Sequence, residues 1–141
     1  MTDSPTVEFR ADDNRDLVVR LAGRPANTDG FGGFDVLVEA DGVRAHRDVL
    51  TYGGDGLDAF FQSLAADWRG WDGTRTWDAV ERGMTIEATH RGSRVELLFV
   101  LRRDYEPDAW ELRIPIRVAP GETLLGLAEA TARVVGVLAH R

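Results

Sequence analysis

The chain has 141 residues, a net charge of −7 and no cysteine, and all 17 of its basic residues are arginine. This length predicts a single domain over residues 1–141, and the absence of cysteine excludes disulfides, thiolate metal sites and a thiol nucleophile. The absence of lysine excludes Schiff-base chemistry and the lysine of a phosphate-binding P-loop.

The negative charge is concentrated in the first half of the sequence. Residues 1–70 contain 13 acidic and 7 basic residues, whereas residues 71–141 contain 11 and 10. Such a surface repels a phosphate backbone, so we expect no nucleic-acid partner, and a basic protein fits better. No apolar run reaches the length of a membrane span, and the polar, acidic start is unlike a signal peptide. We therefore expect a cytoplasmic protein with no membrane partner.

The first elements in chain order are an arm, a strand and a loop. Residues 1–15 are polar and predict a loosely ordered N-terminal arm. Residues 16–22, "DLVVRLA", alternate between apolar and polar and predict a strand. Residues 23–33 are rich in turn-forming residues and predict a loop. The glycines of this loop do not predict a phosphate site, because no helix follows them.

A hairpin is predicted over residues 34–50, with its two-residue turn at Asp41-Gly42. The resulting register pairs Ala40 with Val43, Val38 with Ala45 and Phe34 with Val49 on the buried face. It also puts Arg47 opposite Val36 on that apolar face. Either the strand ends or bulges there, or the arginine reaches the rim of the core.

The same register predicts a candidate site on the outer face of the hairpin. Asp35 and Asp48 lie opposite each other, and His46 is nearby. Two carboxylates and an imidazole are able to bind a divalent metal or to act as acid and base. The alternative is that the strand frays at Asp48 and that all three side chains are solvated.

Residues 54–68 predict an amphipathic helix with Asp55 as its N-cap and an end at Gly70. Its apolar stripe comprises Leu57, Phe60, Phe61, Leu64 and Trp68, so Trp68 is expected in the core. Trp71 lies in a tight turn, and Trp77 is expected in a short helical turn capped by Thr74 or Thr76. The two indoles are interpreted as a hydrophobic corner at the exit of the helix. The alternative is a binding surface of Arg69, Trp71 and Trp77, because Trp and Arg are common interface anchors.

The C-terminal half predicts a three-stranded meander and a second helix. In residues 84–102 a Gly92-Ser93 turn pairs His90 with Val95, Ala88 with Leu97, Ile86 with Phe99 and Met84 with Leu101. Residues 110–118 alternate with Trp110 inward, and Pro115 predicts an edge strand. Residues 121–140 predict the helix.

The order of elements predicts an α+β fold: a two-layer sandwich of a mainly antiparallel sheet of about six strands, with two helices on one face. An apolar patch is expected on the other face of the sheet, and its members are Val18, Leu37, Leu98 and Val100. Such a patch favours either a homodimer or coverage by the N-terminal arm or by the loop at residues 23–33.

The run "AFFQSLAADWRGWDGTRTWDAVERG" (residues 59–83), followed by a meander and the helix "PGETLLGLAEATARV", resembles a family of small actinobacterial proteins known as domain of unknown function 6228. The likeness extends over residues 33–137, and its most specific part is residues 68–73 with Trp77 beyond. That family has no assigned activity, so the resemblance implies no catalytic residues. Size and element order are also similar to those of immunity proteins of bacterial toxin systems.

The leading hypothesis is a non-enzymatic binding protein, in its sharpest form an immunity-type inhibitor of a basic toxin. It is based on the acidic N-terminal half, the lack of a recognisable catalytic constellation or cofactor motif, and the corner of Trp and Arg residues. The alternative is a small-ligand- or metal-binding protein or enzyme that uses Asp35, His46 and Asp48. A third hypothesis is a structural homodimer formed through the apolar outer patch.

Overall fold

The computed structural model describes residues 5–27, 29–103 and 110–138. Within them the elements in chain order are β1 (Thr6–Arg10), β2 (Val18–Arg24), β3 (Phe31–Ala40), β4 (Val43–Tyr52), α1 (Leu57–Ala66), β5 (Thr74–Asp78), β6 (Met84–Arg91), β7 (Arg94–Arg102), β8 (Glu111–Val118) and α2 (Glu122–Leu138). The strands form two antiparallel four-stranded sheets in sequential order, β1 to β4 and β5 to β8. The α+β class is therefore confirmed, but the expectation of about six strands in one sheet is wrong.

Two strands were not predicted from the sequence. In β1, Val7 and Phe9 are buried while Thr6 and Glu8 are exposed, so part of the segment expected to be a loose arm is an edge strand. Residues 1–4 of that segment lie outside the described residues. The other strand is β5, where Trp77 was expected in a helical turn but pairs with Ile86 of β6. Threonine and tryptophan favour strands, and pairing with β6 buries the indole.

Both predicted hairpins are confirmed in register. The pairs of β3 with β4 and of β6 with β7 are those expected from the Asp41-Gly42 and Gly92-Ser93 turns. The segment predicted as a loop over residues 23–33 is shorter in the structure, because β2 continues to Arg24 and β3 begins at Phe31. Pro115 lies in β8, an edge strand, as expected.

The two sheets and two helices share one apolar core. The centre of the Phe9 ring lies 5.2 Å from the centre of the Phe61 ring in α1 and 5.0 Å from the centre of the Phe99 ring in β7. The sheets also meet where the backbone N–H of Asp12 donates to the carbonyl of Arg117 at 2.8 Å. The first strand of the chain is therefore joined to both halves of the fold.

The last helix packs on the inner face of the first sheet. α2 contacts α1, β1 and β2. Gly23 of β2 is buried beneath it, and a Cβ at this position would lie 2.8 Å from the carbonyl oxygen of Val134. The missing side chain thus lets the helix backbone lie directly on the strand.

Arg47 connects the sheets instead of ending β4. It keeps its place opposite Val36, and its Nε donates to the carbonyl of Arg102 at 3.1 Å. Its Nη2 donates to the carbonyl of Arg103, and its guanidinium lies 5.8 Å from the centre of the Trp110 ring. The alternative in which the arginine reaches the rim of the core is the correct one. Trp110, which was expected to point inward, precedes β8 and is 50% exposed.

We expect Arg47→Met to lower the free energy of unfolding by roughly 1–2 kcal/mol, because hydrogen bonds from a charged donor are lost at a partly buried site. Urea unfolding followed by circular dichroism measures the change. Arg44→Met is the matched control, since Arg44 is exposed on the same strand and should change stability by less than about 0.5 kcal/mol. Equal effects of the two substitutions would contradict a connecting role for Arg47.

The helices differ from the prediction at their ends. α1 stops at Ala66, two residues before Trp68, and its N-cap is Gly56 instead of Asp55. The end of the predicted second helix, residues 139–140, lies outside the described residues. Among the described residues, no helix combines the length and apolar character needed to cross a membrane.

Candidate functional site

The tryptophan-rich segment after α1 forms a corner, but not with the expected roles. Trp68 was expected in the core and is instead 44% exposed. The reason is that the helix ends before it, so the chain no longer follows the helical phase that would turn this side chain inward. The exposed Arg69 guanidinium lies 5.0 Å from the centre of the Trp68 ring. Together they present an aromatic and a cationic group to solvent.

Trp71 fastens this corner to the second sheet. Its indole N–H donates to the carbonyl of Ala88 at 3.2 Å, and its ring lies edge-on to His90 with 5.2 Å between ring centres. His90 Nε2 is 2.9 Å from the carbonyl of Trp68, and the ring nitrogen must donate because a carbonyl only accepts. The guanidinium carbon of Arg75 lies over the Trp71 ring, 5.0 Å from the ring centre. Trp71 is half-buried by these contacts, in agreement with the predicted corner.

Trp77 is excluded from any contact surface. It is 6% exposed, and its indole N–H donates to the carbonyl of Asp55 at 2.8 Å. Its ring packs edge-on against Phe34 of the first sheet. The hypothesis that Trp77 binds a partner is therefore wrong, because burial against β3 makes it a core residue.

An open apolar groove lies between α1 and α2. It consists of two adjoining depressions of about 430 and 360 Å³ that share Ala65 and Leu125. The residues that line them are Gln62, Ala65, Ala66, Trp68, Gly121, Glu122, Leu125, Ala128, Glu129 and Ala132. Leu125 is 51% exposed, so a large aliphatic and a large aromatic side chain are both accessible here. We call these residues the interhelical groove.

The interhelical groove was missed in the sequence analysis. One signal was present: Leu125 is a large apolar residue that falls outside the buried stripe of α2, which contains Leu124, Ala128 and Thr131. An apolar side chain off the buried stripe of an amphipathic helix indicates either a second packing partner or an open surface.

The predicted cluster on the outer face of the first sheet is present. Asp35, His46 and Asp48 place one potential ligand atom each within 4.8 Å of one another. β4 continues to Tyr52, so the strand does not fray at Asp48, and His46 Nε2 lies 3.7 Å from Asp48 Oδ1. The side chains of His46 and Asp48 are nevertheless about 60% exposed, as the alternative of solvated side chains expected. A depression of about 300 Å³ adjoins them, lined by Arg20, Ala22, Asp35, Leu37, Arg44 and His46. Two carboxylates and an imidazole suit a zinc or manganese ion. Metal–ligand bonds of about 2.1 Å require the three ligand atoms to move slightly closer to one another.

The charge of this cluster is partly compensated. Arg24 Nε lies 3.0 Å from Asp35 Oδ1. Burial raises the pKa of the Asp35 carboxyl above its ordinary value, and its hydrogen bond with Asp48 raises it further, whereas Arg24 opposes the increase. A metal ion at this site would compete with Arg24 for the Asp35 carboxylate.

The raised pKa of Asp35 predicts a pH-dependent stability. Protonation favours the folded chain, so this contribution is complete below the ordinary pKa of 3.8 and is lost as pH rises through the folded-state pKa. Asp35→Asn cannot ionise and should therefore gain stability relative to the original chain as pH rises from about 3 to about 7. Urea unfolding at both pH values measures this difference, with Asp41→Asn in the adjoining turn as control. A difference between Asp35→Asn and the original chain that is the same at both pH values would contradict the prediction.

The expected apolar patch for a homodimer is not continuous. Val18 and Leu37 belong to the first sheet, whereas Leu98 and Val100 belong to the second. Val18 and Val100 are buried, and Leu37 and Leu98 are only partly accessible. The expectation of four exposed residues on one sheet is therefore wrong, because the strands form two sheets and two of the four side chains are buried, whereas a homodimer itself stays a prediction.

Comparison with known proteins is consistent with the resemblance that was carried by the tryptophan-rich segment. Neither the curated proteins nor the solved structures give a match. The model of one protein family matches residues 10–137, which include nearly all of the described fold, the corner and both candidate sites. The chain therefore belongs to the family of unknown function DUF6228.

Proposed function

We propose that the chain is a non-enzymatic binding protein that contacts a partner protein through the interhelical groove and the adjacent Trp68–Arg69 pair. The observation that carries the proposal is that the groove is open, apolar and bordered by two large side chains that are about half exposed. Trp and Arg are the residue types most enriched among interface hot spots. Trp71 supports this surface by fastening the end of α1 to β6.

Trp68 and Leu125 each leave about half of the side chain exposed, which a partner could cover. Full burial of a large apolar side chain contributes about 1.5–3 kcal/mol, so completing the burial of these two is worth roughly 1–1.5 kcal/mol each. A partner that covers both would recover this energy, together with the close contacts offered by the alanines of the groove. Loss of either side chain should therefore weaken binding about tenfold.

The test is affinity capture from host lysate with the original chain and with two groove variants, Trp68→Ala and Leu125→Ala. We expect a stoichiometric partner that is retained by the original chain and lost by both variants. Trp110→Ala is the matched control, because Trp110 is equally exposed but does not line the groove. Thermal unfolding confirms that each variant is folded. A partner that binds all four chains equally would contradict the proposed surface.

The finer form of the proposal is an immunity-type inhibitor of a basic partner. The net charge of −7 supports it, since an acidic binder attracts a basic partner over a range set by ionic strength. The captured complex should then form more slowly at about 0.5 M salt than at about 0.05 M salt, whereas the dissociation rate should change less. Association that is insensitive to salt would leave a binding protein but would contradict the inhibitor of a basic partner.

Metal binding at Asp35, His46 and Asp48 is a second candidate function. The specific observation in its favour is that three side chains from two strands converge with suitable donor atoms. Paramagnetic Mn²⁺ should broaden the amide signals of residues 35–37 and 46–48 in a two-dimensional NMR spectrum, and His46→Ala should remove the effect. Asp41→Asn is the control for nonspecific attraction of a cation. Uniform broadening over all acidic residues would contradict a metal site.

A further inference from the structure

We infer that the occupant of the interhelical groove is an amphipathic helix with basic residues about two turns apart beside its apolar face. This inference rests on the proposed function and names the chemistry of the partner. It follows from the length of the groove, from the backbone that surrounds it and from the charges in its lining.

The groove has the length of a short helical contact. Along α2 its lining residues recur at Glu122, Leu125, Ala128 or Glu129, and Ala132, which is the three- or four-residue spacing of one helix face. At 1.5 Å per residue this stripe is about 15 Å long. Apolar anchors at positions i, i+3 or i+4 and i+7 of a partner helix cover about 10 Å and fit within it.

The surrounding backbone favours a helix over an extended strand. Both walls of the groove are helices, whose interior N–H and carbonyl groups are paired within the helix itself. An extended segment placed along these helix interiors would find no free backbone groups to pair with there, so its own backbone groups would depend on water or on the helix ends. A helix brings its backbone already paired, and Ala65, Ala66, Ala128 and Ala132 allow it to approach closely.

The negative charges of the groove lining are the reason for expecting basic residues on the partner helix. Among the described residues, the charged side chains that line the groove are Glu122 and Glu129, and both are exposed. They are seven residues apart and therefore lie on the same side of α2, about 10 Å from each other. Two arginines or lysines with the same separation on a partner helix are able to pair with both. A second copy docked groove to groove would instead bring the same two carboxylates, so we infer a basic partner and not a symmetric dimer through this groove.

Two synthetic helical peptides of 14 residues test the inference by isothermal titration calorimetry with the full chain. Both carry leucines at i, i+4 and i+7, and they differ only in having two arginines or two glutamates beside that face, seven residues apart. We expect the arginine peptide to bind at least about tenfold more tightly at low salt. We expect Glu122→Gln/Glu129→Gln to reduce this preference to less than about threefold. Asp29→Asn/Asp41→Asn changes the net charge equally at exposed positions away from the groove, and it should keep the preference.

The outcomes separate the inference from the proposed function. Equal affinity of the two peptides, or a preference lost equally in the two double variants, would overturn the inferred basic helix. The absence of binding by both peptides would overturn it as well. In each case the proposed surface still stands if capture of the cellular partner depends on Trp68 and Leu125, and it fails if capture does not.

Discussion

Replacing Phe9 with alanine is expected to lower the free energy of unfolding by about 4 kcal/mol. The ring is fully buried and touches both Phe61 of α1 and Phe99 of β7. Its removal takes away the apolar surface of a whole phenyl ring and leaves a cavity between a helix and two sheets, which cannot close without moving all of them. Urea unfolding monitored by circular dichroism and by tryptophan fluorescence gives the value.

Thr6→Ala provides the control for Phe9→Ala. Thr6 is exposed on the same strand, so its substitution should change stability by less than about 0.5 kcal/mol. A loss below about 1 kcal/mol for Phe9→Ala would mean that β1 is not part of the core, and that the N-terminal segment is the loose arm that its composition indicates.

Gly23→Val is expected to cost roughly 2–3 kcal/mol, although valine is a better strand former than glycine. Its Cβ would lie 2.8 Å from the carbonyl oxygen of Val134 and 3.4 Å from the side chain of Leu138. A backbone oxygen cannot turn away like the end of a flexible side chain, so α2 as a whole must shift from the sheet. Thermal unfolding and the exchange rates of the α2 amides report the change.

Gly126→Ala is the matched control on the helix that Gly23 contacts. A Cβ at Gly126 would meet nothing within 4 Å, and the residue is exposed in the interior of α2. Alanine there should stabilise the chain by about 0.5–1 kcal/mol, because glycine loses more backbone freedom on folding. If Gly23→Val were also neutral or stabilising, the close packing of α2 on β2 would be contradicted.

The hairpins could be predicted from the sequence because the information that defines them is local. A two-residue turn at Asp41-Gly42 fixes the register, and the alternating pattern has one register that puts the apolar residues together. For the same reason the sequence brought Asp35, His46 and Asp48 to one face of β3 and β4. The position of Arg24 could not be predicted in this way, because this residue lies on β2, outside the hairpin. There it forms an ion pair with Asp35.

Features that depend on distant parts of the chain were missed. β1 is short and charged, and it is held by Phe61 and Phe99 from elements far along the sequence. The division into two sheets depends on which strands pair across α1, and the hydrophobic pattern does not contain that information. Trp68 was misplaced because the periodicity continued two residues beyond the end of α1. The interhelical groove exists only where the faces of two helices adjoin, so neither helix reveals it alone.

The packing of the last helix on the first strands has a consequence for synthesis of the protein on the ribosome. The strands of the first sheet pair with their neighbours in the chain and can therefore form early during translation. The inner face beside Gly23 remains uncovered until α2 has emerged, because that helix lies upon it. A nascent chain that stalls before Glu122 would present this apolar face to chaperones or to other stalled chains. This part of the core is therefore completed only when α2 is present.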